Sequence, residues 1–182
     1  MVSHESLVEV FGQDVVLLSP QAVPRELQGQ PAGQTLTHTG LPKNLLDAIF
    51  SLPDLDDGLK TYGEHCADVG VESSGRTQGM YRIGYAGGSI LIDPGAGGIY
   101  YAAPEDGSTL RINTSIDKYV EALYILEKER GRFDFLDEED LALQRQEISD
   151  LLREVDEAAW VTGHSFWRWV IGQISADDYR VF

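Results

Sequence analysis

The chain has 182 residues, 42% of them hydrophobic, which is enough for one globular domain with a buried core. Thirty acidic residues against fourteen lysines and arginines give a net charge of −16. A field of this sign repels nucleic acid and anionic membranes and attracts basic proteins, so binding to nucleic acid or to a membrane is disfavoured. Solubility alone is the alternative explanation of the charge, and it requires no partner.

Cysteine usage and the N-terminal sequence indicate where the protein works. A single cysteine, Cys66, excludes an intramolecular disulfide and a multi-cysteine zinc site. Residues 1–5 lack the basic start and apolar run of a signal peptide, and no segment approaches the roughly 18 apolar residues of a membrane span. We therefore expect a cytoplasmic protein.

The first fifty residues predict two short helices separated by an irregular segment. Ser3 is suited to cap a helix that ends at Gly12. The prolines and glycines of residues 13–40 favour coil with at most a short strand. Pro42 is favourable in a first helical turn, and the apolar spacing that follows it predicts a second helix over 43–52.

The middle of the chain changes to a period of two, which is typical of strands. Tyr81, Ile83 and Tyr85 alternate with Arg82 and Gly84. Glycine-containing turns then divide the sequence into four predicted strands, at 81–85, 89–93, 99–103 and 109–113. The connections are too short for parallel crossovers, so the strands should form an antiparallel meander.

Helical periodicity returns after the meander. A helix is predicted to begin with Thr114 or Ser115 as its cap and to end at Gly131. A long helix follows from about Asp137, and then a tryptophan-rich tail over 160–182. The fold class is therefore α+β, with one antiparallel or mixed sheet of about four to six strands covered by helices. We expect a single domain over 1–182, with a core at about 5–131 and a C-terminal helical extension at 132–182.

Few residues suggest catalysis. His65 and Cys66 are neighbours with Asp68 close by, but no second pair of ligands completes a zinc site, so a structural thiol is the favoured interpretation. The glycine clusters at 84–88 and 95–98 lack the Lys-Ser/Thr ending of a phosphate-binding loop and separate strands, so they predict turns. No catalytic residue, metal or cofactor is predicted.

Acidic residues are concentrated in two places. Between residues 134 and 157 there are ten acidic residues against two arginines, which fits either a solvated helix face or a docking surface. A second cluster lies on a predicted loop, where helix capping does not explain it. The candidate partner-binding acids are Glu138, Glu139 and Asp140 in the first place and Asp54, Asp56 and Asp57 in the second.

Aromatic residues supply most interface anchors and also much of a protein core. Tyr100 and Tyr101 are added to the candidate partner-binding residues on this ground. Trp167 and Trp169 are two positions apart and cannot both face one side of a helix, so we expect one of them to be exposed or to cover an edge.

The order of these features resembles the SUKH superfamily, which includes bacterial toxin-immunity proteins and fungal cell-wall-synthesis regulators. The resemblance covers about residues 5–172 and is closest to an actinobacterial branch of the immunity proteins. The matching segments are Val10-Phe11-Gly12, Thr39-Gly40-Leu41-Pro42 with a helix to Phe50, Tyr81-Arg82-Ile83-Gly84, Ile90-Leu91-Ile92-Asp93, and Ile112-Asn113-Thr114-Ser115-Ile116 with Tyr119 and Leu123.

The resemblance implies a SUKH-like sheet-and-helix domain that binds a cognate toxin and has no enzymatic activity. The hypothesis is a stoichiometric inhibitor whose acidic surface attracts a basic toxin, such as a nuclease or nucleotide-modifying enzyme. A regulatory scaffold that binds an endogenous protein is the first alternative. A hydrolase or deaminase that uses His65 and Cys66 is the second.

Overall fold

The computed structural model describes residues 1–45, 50–53, 55, 58–73, 75–104, 108–133, 138–161 and 166–173. These residues form six α-helices, with short 3₁₀ or π turns beside several of them. The helices are α1 (His4–Phe11), α2 (Pro31–Gln34), α3 (Tyr62–Asp68), α4 (Ile116–Glu129), α5 (Glu138–Val155) and α6 (Phe166–Gln173). None of these helices combines the length and apolar character that crossing a membrane requires.

The described strands form two antiparallel sheets. The strands are β1 (Val15–Val16), β2 (Leu41–Pro42), β3 (Asn44–Leu45), β4 (Phe50–Ser51), β5 (Tyr81–Tyr85), β6 (Ser89–Ile92), β7 (Ile99–Ala102) and β8 (Thr109–Asn113). β1 pairs with β2, and the other six form one sheet in the order β3-β4-β5-β6-β7-β8. Each strand therefore pairs with its neighbour in sequence, which confirms the α+β class and the predicted antiparallel meander.

The N-terminal helix agrees with its prediction in detail. The Ser3 hydroxyl accepts a hydrogen bond from the backbone N–H of Ser6 at 3.1 Å, and Leu7 is buried. Gly12 ends the helix with a φ of 61°, in the left-handed region that glycine adopts at low cost. At the other end of the chain, Trp167 is 1% exposed and Trp169 is 46% exposed, as the spacing of the two residues requires.

The predicted helix over 43–52 is wrong. Asn44–Leu45 and Phe50–Ser51 are the strands β3 and β4, and Leu45 pairs with Phe50 across them. Both side chains are buried. Five positions separate the two residues, so they would lie about 140° apart on a helix, whereas cross-strand pairing places them side by side in the core. Residues 46–49 of the predicted helix lie outside the described residues.

Two helices lie where the sequence analysis predicted none. α2 begins at Pro31 and continues into a π-helical turn at Thr35–Thr39, with Leu36 buried. α3 begins with a capping box, in which Thr61 accepts from the Glu64 backbone N–H while the Glu64 carboxylate accepts from the Thr61 backbone N–H. The Thr-x-x-Glu pattern of residues 61–64 is the signal that could have revealed α3.

One face of the six-stranded sheet, the inner face, packs against helices. Isoleucines of β5 to β8 contact the apolar stripe of α4, and residues of α1, α5 and α6 join the same hydrophobic cluster. Gly84 permits the close approach of β4 to this layer, since a Cβ atom there would lie 2.2 Å from the Phe50 ring. A larger residue at position 84 would displace the buried Phe50 ring.

The opposite face, the outer face, carries a smaller cluster. Met80, Leu91 and Ala102 are buried there, with Tyr62 of α3 and Tyr100 packed against them. Register places Arg82, Leu91, Tyr100 and Arg111 side by side across β5, β6, β7 and β8. α3 contacts β5, so it covers part of this face and leaves the rest to polar and aromatic side chains.

A buried carboxylate joins the sheet to the C-terminal helices. Asp156, just after α5, is 1% exposed. It accepts hydrogen bonds from the Thr114 backbone N–H at 2.6 Å, the Thr114 hydroxyl at 3.0 Å and the Asn113 amide at 3.3 Å, and it lies 3.4 Å from the Lys118 ammonium. The Asn113 amide oxygen accepts from the Trp167 indole at 3.2 Å.

α4 starts where it was predicted to start. Ser115 holds the N-cap position, but its side chain makes no capping hydrogen bond. The Asp156 carboxylate instead binds the residue before this cap, through the backbone N–H and the hydroxyl of Thr114. At its other end α4 stops at Glu129 and a 3₁₀ turn, Arg130–Phe133, continues through the predicted terminus at Gly131.

Replacing the buried carboxylate should destabilise the protein strongly. Asp156→Ala leaves the donors of Asn113 and Thr114 buried without their acceptor, so we expect a loss of about 3 kcal/mol in the free energy of unfolding. Asp150→Ala, at an exposed aspartate of α5, should cost at most about 0.5 kcal/mol. Urea denaturation of both variants measures the difference, and equal losses would contradict the role of Asp156.

A hydrogen bond from Tyr81 to Glu26 ties the segment before α2 to the sheet. The Tyr81 hydroxyl donates to the Glu26 carboxylate at 2.9 Å. Burial, and then this hydrogen bond, raise the pKa of Tyr81 to about 12. The folded state therefore holds the phenolic proton more tightly than the unfolded chain does.

The raised pKa of Tyr81 predicts a dependence on alkaline pH. Its contribution to stability is fully present below pH 10, the usual pKa of tyrosine, and is lost as the pH rises towards about 12. The difference in thermal midpoint between the wild type and Tyr81→Phe should therefore decrease steadily above pH 10. Differential scanning calorimetry at several pH values tests this, and a difference that does not change with pH would count against it.

Candidate protein-binding surfaces

The exposed side of α5 forms an acidic surface. Leu141, Gln144, Ile148 and Leu152 are the buried residues of this helix and lie on one stripe. The other side carries six exposed acids, which we call the α5 acidic surface, at Glu138, Glu139, Asp140, Glu147, Asp150 and Glu154. Leu143, within the same stretch, is 60% exposed. Helical period thus separates a buried apolar stripe from a charged surface with an apolar residue on it.

Ion pairs reduce the charge of part of this surface. Arg132 lies 2.9 Å from the Glu147 carboxylate, and Arg153 lies 3.0 Å from Asp150. Glu138, Glu139 and Asp140 occupy the first turn of α5, where carboxylates interact favourably with the N–H groups of the helix start. The first turn therefore serves helix stability, and its three acids are exposed at the surface.

The predicted tyrosines lie on opposite faces of the sheet. Tyr101 is on the inner face, where its ring centroid is 5.5 Å from that of Phe166 in α6. Tyr100 is on the outer face, beneath the Arg76 guanidinium, 5.4 Å from its ring centroid, and Arg76 also pairs with Asp93. Alternation along β7 separates the two side chains, so a single docking surface cannot include both. Asp54, Asp56 and Asp57 lie outside the described residues.

A small pocket opens where the outer face meets α3. Its cavity is about 160 Å³, and we call it the Arg82 pocket. The lining residues are Pro53, Lys60, His65, Asp68 and Arg82. They come from the loop after β4, the segment before α3, α3 itself and β5. The sequence analysis missed this site because an arginine in an alternating strand ordinarily indicates a solvent-facing position.

The described residues that line the Arg82 pocket include two basic side chains, Lys60 and Arg82, and one carboxylate, Asp68. The Lys60 ammonium donates to the Asp68 carboxylate at 2.9 Å, which offsets both charges. Arg82 is half-buried, its Nε atom is buried, and the described residues offer its side chain no hydrogen-bond acceptor. The Tyr85 ring lies 6.0 Å from the guanidinium. Burial lowers the pKa of Arg82, since the guanidinium is partly removed from water.

His65 and Cys66 are placed by α3. They occupy consecutive positions of this helix, with Cys66 buried and the centroid of the His65 ring 6.4 Å from that of the Tyr62 ring. Burial, and then the charge of Arg82, lower the pKa of His65. The part of the chain that the structure describes holds no group of three or more metal-ligating side chains placed to share an ion.

The fold and these surfaces define a class: an α+β protein built on an antiparallel meander, with most of its helices on the inner face, α3 on part of the outer face, and charged, partly aromatic surfaces. A family model described as SUKH-4 immunity protein matches residues 2–173. The chain therefore belongs to the SUKH-4 immunity protein family, which confirms the resemblance seen in the sequence. Comparison with curated proteins and with solved structures found no significant match.

The electrostatics of the Arg82 pocket can be measured through His65. The pKa of His65 should lie below 6.5, and Arg82→Gln should raise it, because that change removes the second cause of the lowering. It should stay below 6.5 in the variant, since burial is the larger cause. NMR titration of the imidazole carbon-bound protons gives both values. The same His65 titration midpoint in the wild type and in Arg82→Gln would show that the charge of Arg82 does not affect the pKa of His65, and would contradict the prediction.

Proposed function

We propose that the protein neutralises a cognate protein toxin by binding it stoichiometrically, without catalysis, through the α5 acidic surface. The observation that carries the proposal is the family match, which runs from the residue before the N-cap of α1 to the last residue of α6. Immunity by binding requires one protein to cover another. The side chains of the described surfaces suit binding to another protein better than they suit catalysis.

The charge distribution supports a basic toxin. The net charge is −16, and the three acids that begin α5 are exposed. Toxins that act on nucleic acids or nucleotides need positive surfaces to bind phosphate, so such a toxin would be attracted to this protein. Charge complementarity mainly raises the association rate, whereas buried apolar and aromatic contacts slow dissociation. Leu143 on the α5 acidic surface is suited to the second task.

Several features support the absence of catalysis. Cys66 is the buried residue of α3, so its thiol is poorly placed to attack a substrate. His65 lines a pocket, but its described neighbours there are Lys60, Asp68 and Arg82, and Lys60 and Asp68 are already paired with one another. The pattern resembles a binding pocket more than a nucleophile with its base.

The first experiment asks whether binding and protection occur. The toxin encoded beside this gene should form a one-to-one complex with the purified protein, and co-expression should rescue cells that the toxin otherwise kills. Calorimetry gives the stoichiometry, and colony counts give the protection. Failure of both would refute the proposed function.

Neutralising the start of α5 should slow association with the toxin. The triple variant Glu138→Gln, Glu139→Gln, Asp140→Asn raises the net charge by three, and we expect an association rate about tenfold lower at low salt and a weaker dependence on salt. The matched control Glu5→Gln, Glu9→Gln, Glu72→Gln makes the same change in charge at exposed acids elsewhere. Surface plasmon resonance at several salt concentrations compares them, and equal effects of the two triples would show that α5 has no special role.

A further inference from the structure

The Arg82 guanidinium is the least satisfied charged group among the described residues of the outer face. Arginine is normally paired or hydrogen-bonded when it is partly buried, because five N–H donors are costly to remove from water. Arg82 is half-buried, its Nε atom has no acceptor, and the described residues supply no hydrogen bond to its side chain. The other arginines of this face differ, since Arg76 pairs with Asp93 and Arg111 is exposed.

The neighbours of Arg82 point to one chemistry. Lys60 and His65 line the same pocket and are hydrogen-bond donors when protonated, while the carboxylate of Asp68 is already engaged by Lys60. A guanidinium presents two parallel N–H groups that match the two oxygens of a carboxylate or phosphate. The cavity of about 160 Å³ is smaller than the roughly 300 Å³ at which pockets for drug-sized ligands begin. It has room for one such group and not for a large ligand.

We propose that the Arg82 pocket is an oxyanion-binding site that takes one carboxylate or phosphate group, with the Arg82 guanidinium as its principal ligand. The site is separate from the α5 acidic surface. α5 packs on the helices of the inner face, whereas the pocket opens on the outer face. A protein of net charge −16 thus keeps a local positive site for an anion.

The anion has two sources that share this chemistry: a free ion, or an aspartate or glutamate side chain of a bound protein. Tyr85 lies against the Arg82 guanidinium and is 45% exposed, and Val69, which directly follows Asp68, is 57% exposed. Exposed apolar and aromatic residues beside a buried charge are typical of protein contacts. The experiment has one arm for each source.

The first arm uses inorganic phosphate and acetate as probes of the free ion. The whole protein, labelled with ¹⁵N, is titrated with either salt against sodium chloride at constant ionic strength. The backbone amide signals of Lys60, His65 and Asp68, which the variants retain, are followed together with the Arg82 Nε–Hε NMR signal. That signal is assigned by its loss in Arg82→Lys. We expect a saturable shift with at least one oxyanion, and binding about tenfold weaker or more in Arg82→Gln. Arg111→Gln removes the same charge from an exposed position of the same face and should change the affinity less than threefold.

The second arm uses the toxin encoded beside the gene. If its carboxylate fills the pocket, Arg82→Gln should weaken the complex about thirtyfold or more, mainly through faster dissociation, and Arg111→Gln should leave it nearly unchanged. Arg82→Lys should be intermediate, because it keeps the charge and loses the paired N–H groups. A toxin effect without a response to the free ions supports the proposal and identifies the source as the toxin.

Stability separates a binding role from a structural one. Arg82→Met keeps the length of the side chain without its charge, so its thermal midpoint should be equal to or above that of the wild type. A midpoint lowered by ten degrees or more would make Arg82 a structural residue and overturn the proposal. The proposal would also be overturned if the protein still bound the toxin but Arg82 responded to none of phosphate, acetate and toxin. That result would leave the proposed function intact.

Discussion

The packing of the C-terminal helices on the sheet depends on the hydrogen bonds of the buried Asp156 carboxylate. This carboxylate satisfies donors at the junction of β8 and α4, and through Asn113 it reaches the Trp167 indole of α6. A charge at this depth is tolerated because several donors surround it, and each of those donors would be unsatisfied without it. The hydrogen bonds of this side chain thus connect the sheet, α4, the end of α5 and α6, which also share the hydrophobic core.

This junction determines which surfaces face outward. With its apolar stripe held against α4, α5 turns its acids to solvent, so the acidic surface follows from the packing of Ile148 and Leu152. On the other side of the sheet, α3 covers only part of the outer face and leaves the Arg82 pocket at its margin. The α5 acidic surface and the Arg82 pocket therefore lie on different sides of the sheet.

Local patterns were sufficient where one element carries its own signal. The cap at Ser3, the strand from Tyr81 to Tyr85 and the long helix α5 each depend on residues within a few positions, and all three agree with the structure. Within that strand, a bulge between Arg82 and Gly84 interrupts the predicted alternation. The helix predicted over 43–52 failed because Leu45 and Phe50 are cross-strand partners of β3 and β4, a pairing that the local apolar pattern does not reveal. The missed helix α3 had a local signal, the Thr61–Glu64 capping box, which was overlooked.

The sequence by itself determined the α+β class, the meander, the acidic surface and the resemblance to immunity proteins, because periodicity, turn residues and charge are properties of neighbours along the chain. Only the tertiary structure decided the role of Asp156, the opposite orientation of Tyr100 and Tyr101 and the meeting of Lys60, His65 and Arg82. These three features join residues that are distant in sequence or depend on strand register, and contacts of that kind form only when the sheet and its helices pack together.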